Sequence, residues 1–253
     1  FCIFEGVYSF MNGEQEGYNH YMNILKRTKA NVYPSQKIQK FIIDKHRYMT
    51  YLHKKGYEIA PTHFINLKRK INPKTIMSFI DKNELNEIII KPELGAFKTG
   101  FKKIKNPSKK KVSDNLQKLK KQGYQHILLQ PFLEEFNKFG EIKTYWIGSE
   151  NIYSYRQQWK GGEGVFQRED KIDTDLLNEC LKTGKRILRD VFKDHEKLIQ
   201  CRIDFACCVN NNNHCREFFI NEIEICPTIG TQWYEFDGQA YKLLAKQVIQ
   251  QCL

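Results

Sequence analysis

Two stretches near the C-terminus alternate apolar and polar residues with a period of two, the pattern of half-buried strands. In IQCRIDFACCV (199–209), Cys201, Ile203, Phe205, Cys207 and Val209 share one face, while Arg202 and Asp204 share the other. In EFFINEIEI (217–225), Glu222 and Glu224 fall on a common face. The asparagines at 210–213 read as a turn, so the two strands are expected to form an antiparallel hairpin. If Asp204 pairs near Glu222, Arg202 falls near Glu224, and three carboxylates converge with one guanidinium. A hard divalent cation such as Mg²⁺, held by a few carboxylates plus substrate phosphates, would relieve their repulsion. A solvated hairpin face fits the same pattern, and the hairpin alone leaves both readings open.

Elsewhere the period changes to that of helices. Ile38, Phe41, Ile42, Tyr48, Met49 and Leu52 form a stripe that predicts one helix from an N-cap at Ser35 to about Lys55, stopped by Gly56. Lys45 lands on that inward stripe, an unusual place for a lysine unless it snorkels or meets an anion. Residues 1–34 read as strands and turns. Strands are expected near 59–65, 87–91, 100–104 and 127–130, with helices at 73–82 and 113–122. A hairpin of 141–147 and 151–157 turns at Gly148, and a glycine loop at 161–164 precedes a helix over 173–192. A helix over 240–251 closes the chain. Lys91 ends its strand just before the loop ELGAFKTG, a familiar position for gripping phosphate oxygens.

The 253 residues are 41% hydrophobic and 13% aromatic, which argues for a globular protein of one large or two modest cores. No run of about eighteen apolar residues marks a membrane span. The opening FCIFEGVYSF has no basic n-region, so no signal peptide is expected; it lacks an initiator Met, so the reading allows for a fragment. Eight cysteines without a CxxC pair read as reduced, buried thiols of a cytoplasmic protein. The net charge is +12, and residues 98–121 hold ten lysines against one acid, Asp114. That run fits a solvated face or an anionic partner; without interleaved aromatics it disfavours nucleic acid.

Lys45, Lys91 and the carboxylate cluster together supply what Mg-ATP requires. The pieces DKHRYMTYLHKKGYEIAPT (44–62), IIIKPELGAFKTG (88–100), LLQPF (128–132), GEIKTYWIG (140–148), RIDF (202–205) and NEIEICP (221–227) stand in the order and spacing of the ATP-grasp superfamily, which the chain resembles over about 34–250. The resemblance implies an α+β fold with two subdomains whose antiparallel sheets clamp the nucleotide. Residues 1–34 would be the remnant of an abbreviated N-terminal region, 35–132 the first ATP-grasp subdomain and 133–253 the second. By the same resemblance Lys45 and Lys91 would contact ATP, Gln130 to Phe132 would form the adenine hinge, and Glu141 would meet the ribose. Lys143 would reach a phosphate, and Asp204, Glu222 and Glu224 would coordinate Mg²⁺.

The string RIDF resembles the strand of D-alanine–D-alanine ligases in which an arginine, here Arg202, stabilises a tetrahedral oxyanion. The expected activity is therefore a carboxylate–amine ligase working through an acyl phosphate, with an acidic peptide or amino acid among its substrates. Inositol phosphate kinases resemble the chain over 130–157, and the lysine excess suits a polyanion, so phosphotransfer is the alternative. A non-catalytic nucleotide-binding module is the third reading. It draws on Thr228 after Pro227, where the family carries glycine, and on Phe97 and Lys98 inside the phosphate loop. Arg156 and the 161–164 loop are weaker candidates for a substrate grip and a lid.

Overall fold

The computed structural model describes residues 15–94, 100–160, 163–192, 199–208, 217–225, 227 and 234–252. In chain order, α1 (Gln15–Arg27), α2 (Gln36–Ile43) and α3 (Lys45–Lys54) come first. They are followed by β1 (His63–Asn66), α4 (Pro73–Lys82), β2 (Glu87–Pro92), β3 (Lys102–Lys105), α5 (Lys109–Lys121) and β4 (His126–Pro131). Next are α6 (Glu134–Phe139), β5 (Glu141–Ile147), β6 (Glu150–Lys160), β7 (Glu163–Arg168) and α7 (Thr174–Phe192). The chain closes with β8 (Gln200–Cys208), β9 (Glu217–Glu224) and α8 (Tyr234–Cys252).

These elements form two compact units: residues 15–28 with 43–133, and residues 29–42 with the chain from Glu134 onward. The first has a four-stranded antiparallel sheet ordered β1-β4-β2-β3. Ile88 and Ile90 of β2, Ile127 and Leu129 of β4 and Ile104 of β3 pack one face against Ile76 and Ile80 of α4 and Val112, Leu116 and Leu119 of α5. Burying such side chains contributes about 1.5–3 kcal/mol each before entropy is counted. Register puts Ile89, Gln130 and Lys103 on the opposite face, with Lys91 and Leu128 beside them.

The second unit holds a five-stranded antiparallel sheet ordered β7-β6-β5-β8-β9. β5 is buried along its whole length. One face carries Ile142, Thr144 and Trp146. Trp146 donates from Nε1 to Thr144 Oγ1 at 2.8 Å, and the Thr144 hydroxyl donates to Ile203 O at 3.0 Å. The indole lies directly over Gly184 of α7, where a Cβ would come within 2.6 Å of its Cζ2. The other face carries Glu141, Lys143 and Tyr145.

Several local expectations are corrected. Residues 15–27 are helical rather than strand and turn, because Tyr21 and Leu25 bury a single stripe one turn apart. The long helix expected over 35–55 is two helices broken at Asp44. That residue leaves helical geometry (φ −78°, ψ 88°), and its Oδ1 accepts from Arg47 N at 3.1 Å as the N-cap of α3. The lysine-rich helix begins at Lys109, not 113, because Ser108 caps it by accepting from Lys111 N. The short helix α6 and the edge strand β7 had no clear period. Cys180, Cys201 and Cys207 are buried. Cys2, Cys215, Cys226, the 210–213 turn, Gly95, Phe97, Lys98, Thr228 and Gly230 lie outside the described residues. Among the described residues, no helix is long and apolar enough to cross a membrane.

Candidate functional site

The expected hairpin register is the observed one: Arg202 pairs with Glu224 and Asp204 with Glu222. β5 lies on the other side of β8 and sets Lys143 opposite Asp204 and Tyr145 opposite Arg202. Because directly paired residues share a face, Glu141, Lys143, Arg202, Asp204, Glu222 and Glu224 all belong to one side of this sheet. Asp204 is its centre at 1% exposure. Arg202 donates from Nε to Oδ1 at 2.7 Å and from Nη2 to Oδ2 at 2.9 Å, a bidentate grip. Lys143 Nζ bonds Asp204 Oδ2 at 2.6 Å and Glu141 Oε1 at 2.5 Å. Arg202 Nη2 also meets Glu224 Oε2 at 2.7 Å, and its guanidinium sits 5.8 Å from the Tyr145 ring centre.

The protonation of these groups follows from burial and neighbours. Burial alone would push Asp204 up, but Arg202 and Lys143 hold its carboxyl below the usual range. Burial alone would lower Lys143, yet Asp204 and Glu141 keep it above an ordinary lysine. Arg202 is likewise raised against burial by Asp204 and Glu224. Glu224 behaves differently: burial first, with Glu222 and Asp204 adding to it, pushes it up to about 7 despite Arg202.

The expected convergence of three acids on a cation is therefore altered at Asp204. Both of its oxygens serve Lys143 and Arg202, so side chains supply the neutralisation that the sequence reading gave to a metal. Among the described residues no three His, Cys, Asp or Glu side chains are placed to form a cage that could hold a metal ion. A Mg²⁺ ion whose shell is completed by phosphates needs fewer protein carboxylates than such a cage. Glu224 in particular is a buried acid whose elevation a nearby cation would relieve.

Glu141 is no exposed hairpin charge. It is buried between Lys143 and Asn221, whose Nδ2 donates to Oε2 at 3.0 Å. Asn221 was not singled out in the sequence. A register shift after Asp204 pairs Phe205 with Ile220 and leaves Asn221 as the extra residue, re-aimed toward Glu141. Arg156 pairs with Ile142 and belongs to the opposite face, away from Lys143.

In the other unit, Lys45 opens α3 and is 9% exposed, at a helix start rather than mid-helix. Lys91 and Gln130 share the sheet face opposite the α4–α5 core. Gln130 Nε2 donates to Thr62 Oγ1 at 2.8 Å. The Phe132 N–H donates to Glu87 O at 2.9 Å, so this amide is already used. Lys103, absent from the expected set, stands 3.2 Å over the Phe132 ring and pairs with Glu87 at 2.5 Å.

No protein-family model matches the sequence, and no curated protein matches it significantly. Solved structures do match by shape. The D-cycloserine synthetase DcsG aligns with a TM-score of 0.73 at 16% identity, over 93% of this chain and 80% of that one. A D-alanine–D-alanine ligase from Bacillus anthracis, complexed with ATP, gives 0.65 at 12% identity, over 86% and 68%. The ATP-grasp ligase PsnB with a minimal precursor gives 0.60 at 16%, over 93% and 71%. PsnB has also been solved with a phosphomimetic precursor variant, Mg and ADP. The chain has the ATP-grasp fold.

Proposed function

We infer that the chain is an ATP-dependent carboxylate–amine ligase that forms an amide or peptide bond through an acyl phosphate. The observation that carries this reading is Arg202, bonded to Asp204 and Glu224 on a sheet face that also presents Lys143. A ligase must stabilise negative charge twice, on the transferred phosphoryl group and on the tetrahedral oxyanion after amine attack. A buried, pre-oriented guanidinium serves that purpose, and such groups are worth about 3–4 kcal/mol in a transition state. Arg202 is costly to reorient, because both Asp204 and Glu224 hold it.

Lys45 and Lys91 of the other unit are the proposed phosphate contacts, and Gln130 with Phe132 the proposed adenine edge. Glu141 takes the ribose, and Lys143, released from Asp204 or Glu141, turns to a phosphate oxygen. Glu222 and Glu224, with Asp204 if it is freed from its cations, would hold Mg²⁺. When bound, that ion supplies charge neutralisation for the phosphates. DcsG and PsnB support this reading by analogy of fold; the acid, proposed as an amino acid or acidic peptide, and the amine stay at the level of chemical class.

Incubation with ATP, Mg²⁺, hydroxylamine and a panel of carboxylates tests the proposal. A hydroxamate formed together with ADP supports it. A phosphorylated polyol with no hydroxamate supports phosphotransfer instead, the reading favoured by the exposed lysines at 102, 105, 109 and 110. Nucleotide bound without turnover supports a non-catalytic module.

A further inference from the structure

Glu93 is a buried acid with no part in the proposed chemistry. It follows Pro92, the last residue of β2, two positions beyond Lys91, and is 7% exposed. Its backbone N–H donates to His126 O at 3.0 Å, and its Oε2 lies 3.3 Å from His126 Nδ1 at the start of β4. Its Oε1 reaches α3, where it accepts from His46 N at 3.0 Å. Besides Asp44, which takes the Arg47 N–H at 3.1 Å, α3 thus has a cap supplied by Glu93, 47 residues beyond His46.

The His46 N–H belongs to the peptide plane that also holds the Lys45 carbonyl, so this bond fixes the backbone directly after Lys45. On the other side of the bond, only Pro92, with its fixed φ, separates Glu93 from Lys91. The His46 ring adds a second hold, stacking on Phe64 with ring centres 4.1 Å apart. Phe64, Leu128 and Lys91 are register partners in one row across the sheet, on the face opposite the α4–α5 core. The start of α3 therefore lies over the face that carries Lys91.

We propose that Glu93 is a positioning residue: by capping His46 it sets Lys45 at a fixed distance and direction from Lys91, so that both lysines grip one phosphate chain. The proposal rests on the reading that these two lysines hold nucleotide phosphates. The Asp44 cap keeps the first turn helical, but it comes from the segment of α3 itself. The Glu93 bond ties that turn to the strand of Lys91. Ring stacking tolerates sliding and tilting, whereas a hydrogen bond weakens steeply with misalignment, so the bond is the more exact of the two holds.

Equilibrium binding of ATP with Mg²⁺, and of adenosine, is measured for the wild-type chain, Glu93→Leu and Glu93→Gln, and for Glu93→Leu again in a Lys45→Ala background. Leucine offers the His46 N–H no acceptor, whereas glutamine keeps a carbonyl oxygen. If Lys45 keeps its competent placement about a tenth of the time in Glu93→Leu, ATP affinity falls roughly tenfold. Adenosine has no phosphate for Lys45 to grip and should bind within about twofold of wild type. Glu93→Gln should bind both ligands as wild type does. With Lys45 already replaced, Glu93→Leu should cost less than about twofold in ATP affinity. Unchanged ATP binding in Glu93→Leu, equal losses for ATP and adenosine, or a loss that adds in full to that of Lys45→Ala overturns the proposal. If Glu93→Leu does not fold, amide exchange in the wild-type chain decides: a His46 amide as protected as that of Arg47 supports the tie, and one exchanging like an unbonded amide overturns it. A wild-type chain that binds neither ligand overturns the ATP reading and this role together. ATP bound without coupling between Glu93 and Lys45 overturns this role alone.

Discussion

Replacing Lys143 with Met is the most revealing single perturbation of the charged sheet face. Lys143 is 6% exposed, and its ammonium joins Glu141 at 2.5 Å to Asp204 at 2.6 Å. Methionine fills nearly the same volume, so little cavity energy enters. Breaking a buried ion pair by removing one partner costs about 3–5 kcal/mol, because a charge is left buried without compensation. Here Asp204 keeps two bonds from Arg202, while among the described residues Glu141 keeps the neutral Asn221 amide. The loss should therefore lie near the lower end, about 3 kcal/mol, carried mainly by Glu141. At about 2–4 °C per kcal/mol the melting midpoint of this unit should fall by roughly 6–12 °C. Adding Glu141→Gln removes the orphaned charge and should restore about 1–2 kcal/mol. Thermal unfolding followed by the fluorescence of buried Trp146 reads both effects. A loss below about 1 kcal/mol, or a double variant no more stable than the single, would refute the assignment of Lys143 as the neutraliser of both acids.

Four further outcomes follow from the structure. Because Glu224 is pushed up to about 7, Mg-nucleotide binding near that pH should release protons, seen as a dependence of calorimetric heat on buffer ionisation enthalpy that vanishes in Glu224→Gln. Asp204 is held below its ordinary range, so its pairing contribution is present above pH 3.8 and is lost only as pH falls through a lower value; Asp204→Asn should flatten the acid limb of stability below about pH 4. Gly184→Ala would drive a Cβ to 2.6 Å from the Trp146 ring and should cost about 1–3 kcal/mol by urea unfolding, while Lys91→Ala should weaken nucleotide binding by roughly tenfold or more with little change in that stability.

The charged hairpin was legible because strand alternation has a period of two, and one correct pairing fixes every other face along β8 and β9. The position of Lys143 opposite Asp204 was not, since pairing between β5 and β8 joins segments about 60 residues apart. The bulge at Asn221 leaves no local signature, yet it decides what holds Glu141. Asp44 fell inside the single helix expected from Ser35 to about Lys55, where a capping bond to Arg47 N outweighs periodicity and splits the helix. Glu93 was not singled out, because its burial depends on His46 and His126 from two other elements. β7 gives no strand signal, as its exposed Val165 and half-buried Phe166 interrupt any alternation.

Carboxylate substrates labelled with ¹⁸O test the central claim most directly. If the acid oxygen attacks the γ-phosphorus and the amine later expels phosphate, the released phosphate must carry one ¹⁸O, and Arg202→Met should abolish that transfer while nucleotide binding persists. Unlabelled phosphate released at the rate of ADP formation, with product still made, would contradict the account.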